Sequence, residues 1–328
     1  MAAGISSEKI DLLIYGPTKP IVEKGFSDQF VLHAFETQAD LERMTPAVIE
    51  RIRGIATTGP VVANETVLAR FPKLEIVSSF GVGYDHINAG YARDHGIIVC
   101  NTPDVLTEEV ADVALGLFIA TAREFIKADR YLRSGLWTSA QGFPLSVGSL
   151  RDRKVGMIGM GRIGQAIARR LDASLVPVVY HSRNPAAGVT HQHYPNLIEM
   201  AKAVDTLIII TPGGASTAKL VNAEVLKALG PRGIVINVAR GSVVDEPALI
   251  AALKSGTILA AGLDVFANEP NIPEELRAMQ NVVLLPHIGS GSVVTRNAMD
   301  QLVVDNLKAW FAGKAPLTPI PETPVKGR

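Results

Sequence analysis

The 328-residue chain has one cysteine, no excess of charge of either sign and no long uninterrupted apolar run. The single thiol, Cys100, cannot form an intrachain disulfide, so the fold needs no oxidising compartment. Lysine plus arginine and aspartate plus glutamate both number 32. The sequence also has no basic stripe that would indicate nucleic-acid binding and no polybasic cluster that would indicate a membrane surface.

We expect neither a secretory signal nor a membrane-spanning segment. The N-terminus lacks the basic segment and long apolar core of a secretory signal. The most apolar long stretch, Val110 to Ala122, is shorter than the about 18 residues that a membrane-spanning helix requires, so we expect a buried helix there. We therefore expect a cytoplasmic protein that binds neither membrane nor nucleic acid. The chain length suggests two domains.

Short β-branched runs alternate with helical patterns along the chain, which predicts βαβ units and parallel sheets. A first series of predicted strands comprises Ile10 to Tyr15, Gly54 to Thr57, Ile76 to Ser79 and Ile97 to Cys100. A second series comprises Val155 to Ile158, Val176 to Tyr180, Thr206 to Ile210, Ile234 to Val238, Ala260 to Asp264 and Val282 to Leu285. Strands as apolar as those of the second series are buried on both faces, as in a doubly wound sheet.

Helical spacing predicts the segments that connect these strands. The predicted helices are Leu41 to Arg51, Asn64 to Phe71, Glu108 to Ala122, a stretch ending near Ser134, Gly164 to Leu171, Asn196 to Ala203, Ala223 to Ala228, Glu246 to Ser255 and Val293 to Trp310. The tail from Lys314 contains four prolines, and we expect it to be extended or disordered.

A glycine-rich loop follows the first strand of the second series. Gly159, Gly161 and Gly164 form a G-x-G-x-x-G pattern between an apolar strand and a helix, the context in which this pattern binds a dinucleotide. Gly159 allows the tight turn, Gly161 lets the backbone approach a pyrophosphate, and Gly164 lets helix and strand pack closely. The alternative is a glycine-rich turn without a ligand.

The end of the next strand bears on the choice of cofactor. An NAD site usually has a carboxylate here that accepts from the ribose hydroxyls, and the window Val179 to Asn184 has none. Arg183 can pair with a 2′-phosphate and Ser182 can donate to it, which predicts NADPH or NADP as the cofactor, with NADH also possible. The alternative is that Arg183 is a solvated loop charge and NAD is bound. His181 could lie under the adenine or the phosphate, but the preferred interpretation is a surface histidine.

Three strand ends of the second series carry the residues of a predicted reacting centre. In open α/β sheets ligands lie beyond the carboxyl ends of the strands, so Arg240, Glu269 and His287 should converge. Arg240 suits a substrate carboxylate, and His287 can supply a proton near neutral pH. Glu269 would hold the imidazole and favour its charged form. Taken singly, the three residues could instead be an ion pair, a turn residue and a loop histidine.

In these segments the chain resembles the D-isomer-specific 2-hydroxyacid dehydrogenase family, over nearly its whole length. The resemblance rests on the glycine loop and on Ser79 to Asp85, Asn101 to Asp104, Glu109 to Asp112, Asn237 to Gly241, Leu263 to Phe266 with Glu269-Pro270, and Pro286 to Ser290. It implies an α/β fold of two Rossmann-like domains with parallel sheets and a cleft between them. The implied substrate domain is discontinuous, 1–102 plus 290–328, and the cofactor domain is 103–289. A homodimer is also implied.

The resemblance assigns further residues. Arg240, Glu269 and His287 take the catalytic positions, and the backbone N–H groups of Val82 and Gly83 would bind the substrate carboxylate. Trp137 stands where some relatives reach the partner's substrate site, or it packs in the dimer interface. The positions that contact cofactor include Thr107, Arg162, Ile163, Thr211, Pro212, Val238, Asp264, His287 and Gly289, beside the glycine loop, Ser182 and Arg183; no metal site is expected.

The segment Tyr180 to Arg183 and the sequence after His287 resemble glyoxylate/hydroxypyruvate and hydroxyphenylpyruvate reductases, which prefer NADPH. We therefore expect an enzyme that reduces a small 2-keto acid to a D-2-hydroxy acid. Two alternatives stay open: an NAD-linked D-lactate or phosphoglycerate dehydrogenase, and a nucleotide-sensing scaffold like the C-terminal-binding-protein corepressors.

Overall fold

The computed structural model describes residues 9–26, 29–59, 61–146 and 148–325, and the chain divides into two compact units. The first unit combines Met1–Leu106 with Val293–Arg328, and the second is Thr107–Ser292. The sequence placed the domain boundaries at 102/103 and 289/290. In the structure each division coincides with the start of a helix, at Thr107 and at Val293.

The first unit contains a five-stranded parallel sheet in the order β2-β1-β3-β4-β5. The strands are β1 (Ile10–Tyr15), β2 (Phe30–Phe35), β3 (Ile52–Thr57), β4 (Ile76–Ser78) and β5 (Ile98–Cys100). Its helices are α1 (Pro20–Phe26), α2 (Gln38–Glu42), α3 (Pro46–Ile49), α4 (Glu65–Leu68), α5 (Ala89–Asp94) and, from the C-terminal segment, α13 (Val293–Phe311).

The predicted helix from Leu41 to Arg51 is wrong as a single element, because the structure divides it into α2 and α3. Thr37 caps α2 in a capping box with Asp40, so the first helix begins earlier than predicted. Pro46 occupies the first turn of α3, where its missing N–H costs nothing, and a new helix starts there.

The second unit contains a seven-stranded parallel sheet in the order β12-β11-β10-β9-β6-β7-β8. Its strands are β6 (Val155–Ile158), β7 (Val178–His181), β8 (Gln192–Tyr194), β9 (Thr206–Ile209), β10 (Ile234–Asn237), β11 (Ala260–Leu263) and β12 (Val282–Leu284). Its α-helices are α6 (Thr107–Ala122), α7 (Phe125–Arg133), α8 (Arg162–Ala173), α9 (Leu197–Lys202), α10 (Ala223–Leu229), α11 (Glu246–Ser255) and α12 (Glu274–Ala278); short 3₁₀ helices span Leu150–Asp152 and Gly241–Val243. The strand order reverses beside β6, as in dinucleotide-binding sheets.

Burial explains why the central strands of this sheet were predicted from sequence. Every residue of β6, β9, β10 and β11 is buried. Helix α6 covers one side with Val110, Ala114 and Phe118, which confirms the predicted buried helix. Two parallel sheets, each with helices, confirm the predicted α/β class.

The C-terminal tail returns to the sheet of the first unit. Ile320 is 2% exposed, and its amide donates to the Val99 carbonyl at 2.9 Å, so the tail runs extended along β5. The predicted extended form therefore holds around Pro319 and Ile320, whereas a turn follows, in which the Thr323 amide donates to the Ile320 carbonyl at 3.2 Å; residues 326–328 lie outside the described part. Within the described ranges, no helix has the length and apolar character required to cross a bilayer.

Candidate active site

Most of the predicted site residues of the second unit follow directly from the carboxyl ends of its parallel strands. These ends meet at one edge of the sheet. Gly159 follows β6, Ser182 and Arg183 follow β7, Thr211 and Pro212 follow β9, Val238 and Arg240 follow β10, Asp264 follows β11, and His287 lies three residues after β12. Thr107 opens α6, while Arg162, Ile163 and Gly164 form the first turn of α8. The sheet thus places residues from distant parts of the sequence along one edge.

The geometry of the glycine loop fits a dinucleotide. Gly159 has φ of +104°, and a side chain there would press on the backbone of Ile210 and Thr211. A side chain at Gly164 would collide with the Gly159 carbonyl oxygen, so helix and strand need glycine at both positions. At Gly161 an added Cβ would meet nothing within 4 Å. This glycine is not required by internal packing, and the open space beside it lies at the N-terminus of α8, where the backbone N–H groups and the helix dipole favour a phosphate.

The loop after β7 presents Arg183 to solvent. The Ser182 hydroxyl donates to the Asn184 carbonyl at 2.6 Å, and the Ala186 amide donates to the Tyr180 hydroxyl at 3.0 Å. These contacts fix the loop on the strand. Arg183 is exposed, as a residue that binds a phosphate at the surface must be. For Ser182 to donate to the same phosphate, its hydroxyl would have to turn away from Asn184.

Glu269 and His287 form a direct pair. His287 Nδ1 lies 2.7 Å from Glu269 Oε2, and the Phe266 amide donates to Glu269 Oε1 at 3.0 Å. The two side chains are 18 positions apart in sequence and come together because β11 and β12 are neighbours in the sheet. The side chain of His287 is 45% exposed, so the ring can be reached from solvent.

The state of the carboxyl group determines which ring nitrogen is available. Burial by itself raises the pKa of Glu269, but the hydrogen bonds from His287 and Phe266 and the positive charges of His287 and Arg240 outweigh it, and the net pKa lies below its usual value. An ionised carboxylate only accepts hydrogen bonds, so Nδ1 of His287 carries the hydrogen. Nε2 is therefore the atom that can exchange a proton with a substrate.

Arg240 is positioned by its own chain segment. The Asn237 side chain accepts from the Ala239 amide at 3.1 Å and donates to the Arg240 carbonyl at 3.0 Å, which fixes the turn after β10. The next residue, Gly241, lies so close to the backbone of Phe266 and Ala267 that an added Cβ would overlap it. This close approach brings the segment of Arg240 against the segment that carries Glu269.

Asp264 anchors the loop that carries His287. Its carboxylate accepts from the amides of Ile288 and Gly289, both at 2.7 Å, and its carbonyl accepts from the His287 amide at 2.9 Å. His287 itself has φ of +54°, a left-handed conformation that this anchoring maintains. Burial raises the pKa of Asp264, and the two amide donors offset only part of that effect.

Val82 and Gly83 belong to the first unit, in the loop after β4. The loop is held by hydrogen bonds from the Phe80 amide to Thr57 Oγ1, at 2.9 Å, and from Asn101 Nδ2 to the Val82 carbonyl, at 2.8 Å. Within the described chain, neither the Val82 amide nor the Gly83 amide donates to a protein acceptor. Two adjacent N–H groups without an acceptor suit a carboxylate ligand.

Trp137 follows α7 and is 65% exposed. It lies in the loop after α7, and most of its ring is open to solvent. Its role as a substrate contact or as an interface residue is therefore a proposal.

Sequence reasoning missed the residues that position the site. Asn237 is 1% exposed and was quoted only as part of a sequence pattern, although its amide shapes the turn that carries Arg240. Thr57 was assigned only to a strand, although its hydroxyl holds the Phe80 amide. A polar residue at the end of an apolar strand is the signal that could have identified both.

Comparison with known proteins agrees with the resemblance expected from sequence. Residues 115–289 match the family model described as D-isomer specific 2-hydroxyacid dehydrogenase, NAD binding domain. A glyoxylate/hydroxypyruvate reductase A from Arabidopsis thaliana is 43% identical over 95% of this chain and 99% of its own length. A hydroxyphenylpyruvate reductase from Plectranthus scutellarioides is 41% identical over 95% and 99%.

A solved structure is similar over nearly the whole chain. It is the NADPH-dependent glyoxylate/hydroxypyruvate reductase of Sinorhizobium meliloti, in complex with NADP and malonate. The two chains are 52% identical, with a TM-score of 0.92, and the alignment covers 98% of this chain and 99% of the other.

Proposed function

The chain belongs to the D-isomer-specific 2-hydroxyacid dehydrogenase family, and on that premise we propose that it is an NADPH-preferring reductase of small 2-keto acids. The observation that carries this proposal is the 2.7 Å pair of Glu269 and His287, at the sheet edge that also bears Arg240 and the glycine loop. The product would be the D-2-hydroxy acid.

The proposed chemistry assigns one task to each side chain. Arg240 holds the substrate carboxylate and polarises the carbonyl through its permanent positive charge. His287 gives its Nε2 proton to the carbonyl oxygen as the alkoxide develops. Glu269 orients the imidazole and stabilises its charged form before transfer. The bound NADPH supplies the hydride, so that keto acid, NADPH and one proton become hydroxy acid and NADP⁺.

The Val82 and Gly83 amides of the first unit are proposed to bind a substrate carboxylate. Their lack of a protein acceptor supports this assignment. We propose glyoxylate, hydroxypyruvate and aryl-pyruvates as the substrate class, since the similar reductases carry those names.

A panel of 2-keto acids, each assayed with NADPH and with NADH, tests this proposal. We expect oxidation of NADPH with glyoxylate or hydroxypyruvate, and slower oxidation of NADH. A protein that binds NADPH yet reduces none of the acids would instead be a nucleotide-sensing scaffold. Faster turnover with NADH would assign it to the NAD-linked dehydrogenases.

Arg183 is the proposed contact for the 2′-phosphate. Arg183→Ala should raise the Kd for NADPH about 10- to 100-fold, the effect of losing one charge-assisted hydrogen bond, and leave the Kd for NADH nearly unchanged. Fluorescence titration of the reduced nucleotides measures both constants. Lys202→Ala, which removes an exposed cation paired with Glu199 elsewhere in the unit, serves as the control. An unaltered NADPH constant in the Arg183 variant would refute the assignment.

A homodimer is proposed from the surface formed by α7 and the residues after it. No residue of α7 is buried, and Phe125, Ile126, Leu132, Leu136 and Trp137 are between 42% and 65% exposed. An apolar surface of this kind marks an interaction site. A second copy of the chain is the occupant that the family resemblance implies, and Trp137 would then lie in the interface or reach the partner's substrate site.

A further inference from the structure

His181 occupies a position with a defined use in dinucleotide-binding folds. An acidic residue about 20 positions after the glycine loop, at the end of the second strand, usually accepts from the ribose 2′-hydroxyl. In this chain β7 is that strand, and His181 is its last residue. The Gly159 amide donates to the His181 carbonyl at 3.0 Å, so His181 is joined to the turn that carries the glycine loop.

One hydrogen bond determines the tautomer of the His181 ring. Nδ1 lies 2.8 Å from the carbonyl oxygen of Tyr194, on β8. A carbonyl only accepts, so Nδ1 must carry the hydrogen. No described residue hydrogen-bonds to Nε2, and the ring is half-buried. In the neutral ring Nε2 therefore carries a lone pair and accepts a hydrogen bond, whereas in the charged ring Nε2 carries a hydrogen and donates one.

The residues named here on the elements next to His181 are neutral or cationic. His193 on β8 donates from Nε2 to the Ser182 carbonyl at 2.9 Å, and its ring lies 5.1 Å from that of Tyr180. Arg183 follows in the loop, and Arg162 begins α8 beyond the glycine turn.

The acidic groups on the two helices that pack against β7 are engaged elsewhere, and Glu199 on α9 accepts from Lys202 Nζ at 2.8 Å. Asp172, near the end of α8, lies 3.0 Å from Nε2 of His191, which precedes β8. Across the described ranges, no carboxylate forms an ion pair with His181 or His193. The position that discriminates against a 2′-phosphate in NAD-specific proteins is thus held by a group that can turn from acceptor to cationic donor.

We propose that His181, together with Arg183, recognises the 2′ position of the cofactor, accepting from the hydroxyl of NADH when neutral and donating to the phosphate of NADPH when protonated. This inference rests on the proposed use of NADPH. Protonation of the ring would add an N–H donor toward the phosphate, so the preference for NADPH over NADH should increase as the pH falls. His181 is a specificity-determining residue, and the proton-transfer step does not involve it.

The experiment compares wild type with His181→Asn. The asparagine amide can keep the donor to the Tyr194 carbonyl, but it cannot become charged. His191→Asn is the matched control, because His191 lies beside the same strand and is engaged by Asp172. Kd values for NADPH and for NADH are measured by fluorescence titration at intervals between about pH 5.5 and 8.

The 2′-phosphate itself titrates near pH 6, so the informative quantity is the difference between proteins rather than one pH profile. The quantity compared is the Kd for NADH divided by the Kd for NADPH. On acidification this ratio should rise about tenfold more in wild type and in His191→Asn than in His181→Asn. About tenfold is the factor expected from one charge-assisted contact. Identical pH dependence in wild type and His181→Asn would overturn the proposal.

A second variant keeps the test decisive if His181→Asn folds poorly. His181→Asp restores the carboxylate found in NAD-specific sites and should reverse the preference, so that NADH binds more tightly than NADPH. Unchanged preference in a folded His181→Asp protein also refutes the role of His181. If wild type reduces keto acids with NADPH, an unchanged preference in the variant refutes only the role of His181. If wild type binds neither cofactor, the proposed function is refuted as well.

Discussion

Two side chains in contact, Glu269 and His287, determine which ring nitrogen is left for the proposed proton transfer. The carboxylate is ionised and accepts from Nδ1, so Nε2 is the nitrogen that the proposed reaction would use. Arg240 adds a positive charge near the same carboxylate, and that charge is among the causes of the low pKa of Glu269. The three residues therefore act as one electrostatic unit.

Removal of the imidazole should affect the rate of reduction much more than the binding of NADPH. His287→Ala should lower kcat for reduction by about 10²- to 10⁴-fold, the usual contribution of a general acid, while the Kd for NADPH changes little. Stopped-flow single turnovers and fluorescence titration measure the two quantities. Equal losses in both would show that the ring only shapes the cofactor site.

Neutralising the carboxylate should alter stability in a pH-dependent way. The folded-state pKa of Glu269 is lowered, so its stabilising contribution is present above the unfolded pKa of about 4.3 and is lost as the pH falls through the folded value. Wild type should exceed Glu269→Gln in free energy of unfolding at pH 7 by up to about 1 kcal/mol, since the pair is partly exposed. Urea unfolding at pH 7 and at about pH 3.5 checks this, and a gap that widens in acid would contradict it.

At the residue scale, sequence reasoning identified the charged groups but not their supports. Arg240, Glu269 and His287 stand out because each charged or polar group follows a buried apolar strand. Asn237 and Thr57 also end apolar strands, but their partners are backbone groups that they meet only in the folded chain, so the sequence does not give their roles.

At the scale of elements, the close approach of two strand-end loops positions Arg240. Gly241 lies against the backbone of Phe266 and Ala267, and no side chain fits between them. The absence of one Cβ therefore sets the separation of the arginine segment from the glutamate segment.

A methyl group at this position should move the catalytic groups apart. Gly241→Ala should cost about 1–3 kcal/mol of stability through overpacking and reduce kcat/KM by about 10²-fold, as expected for a displacement near 1 Å. Thermal unfolding and steady-state kinetics measure the two effects.

Gly90→Ala in α5 is the control for that substitution. The added Cβ there meets only Asn88 at an ordinary 3.5 Å, so activity should be unchanged. Full activity in Gly241→Ala would show that the two loops adjust independently.

The predicted elements omit strands β2 and β8 and helices α1, α5 and α12. Strand β8 has three polar or aromatic residues and no buried position, and β2 lies at a sheet edge with a mixed burial pattern. Their pairing partners, β7 and β1, supply the hydrogen bonds that make them strands. The apolar strands β1 and β6 were predicted with correct bounds because burial on both faces leaves a continuous hydrophobic run.

For the whole molecule, the proposed dimer makes the exposed α7 surface a testable interface. Ile126→Glu combined with Leu132→Glu should convert a dimer into monomers, because two charges cannot be buried unpaired. Sedimentation equilibrium across a range of concentrations measures the mass. Val31→Glu, on the exposed side of edge strand β2, should leave the dimer intact. A wild-type monomer would overturn the proposal.

The first unit takes strands from the beginning of the chain and a long helix from its end. Helix α13 brings Val304 against Gly25 of α1 and Leu307 against Gly54 of β3, so it packs on residues that precede their partners by about 250 positions or more. The second unit is continuous in sequence. During translation, the ribosome therefore releases everything that the nucleotide-binding unit needs while the first sheet is still uncovered. The second unit can therefore fold on the ribosome before α13 is available to complete the first unit.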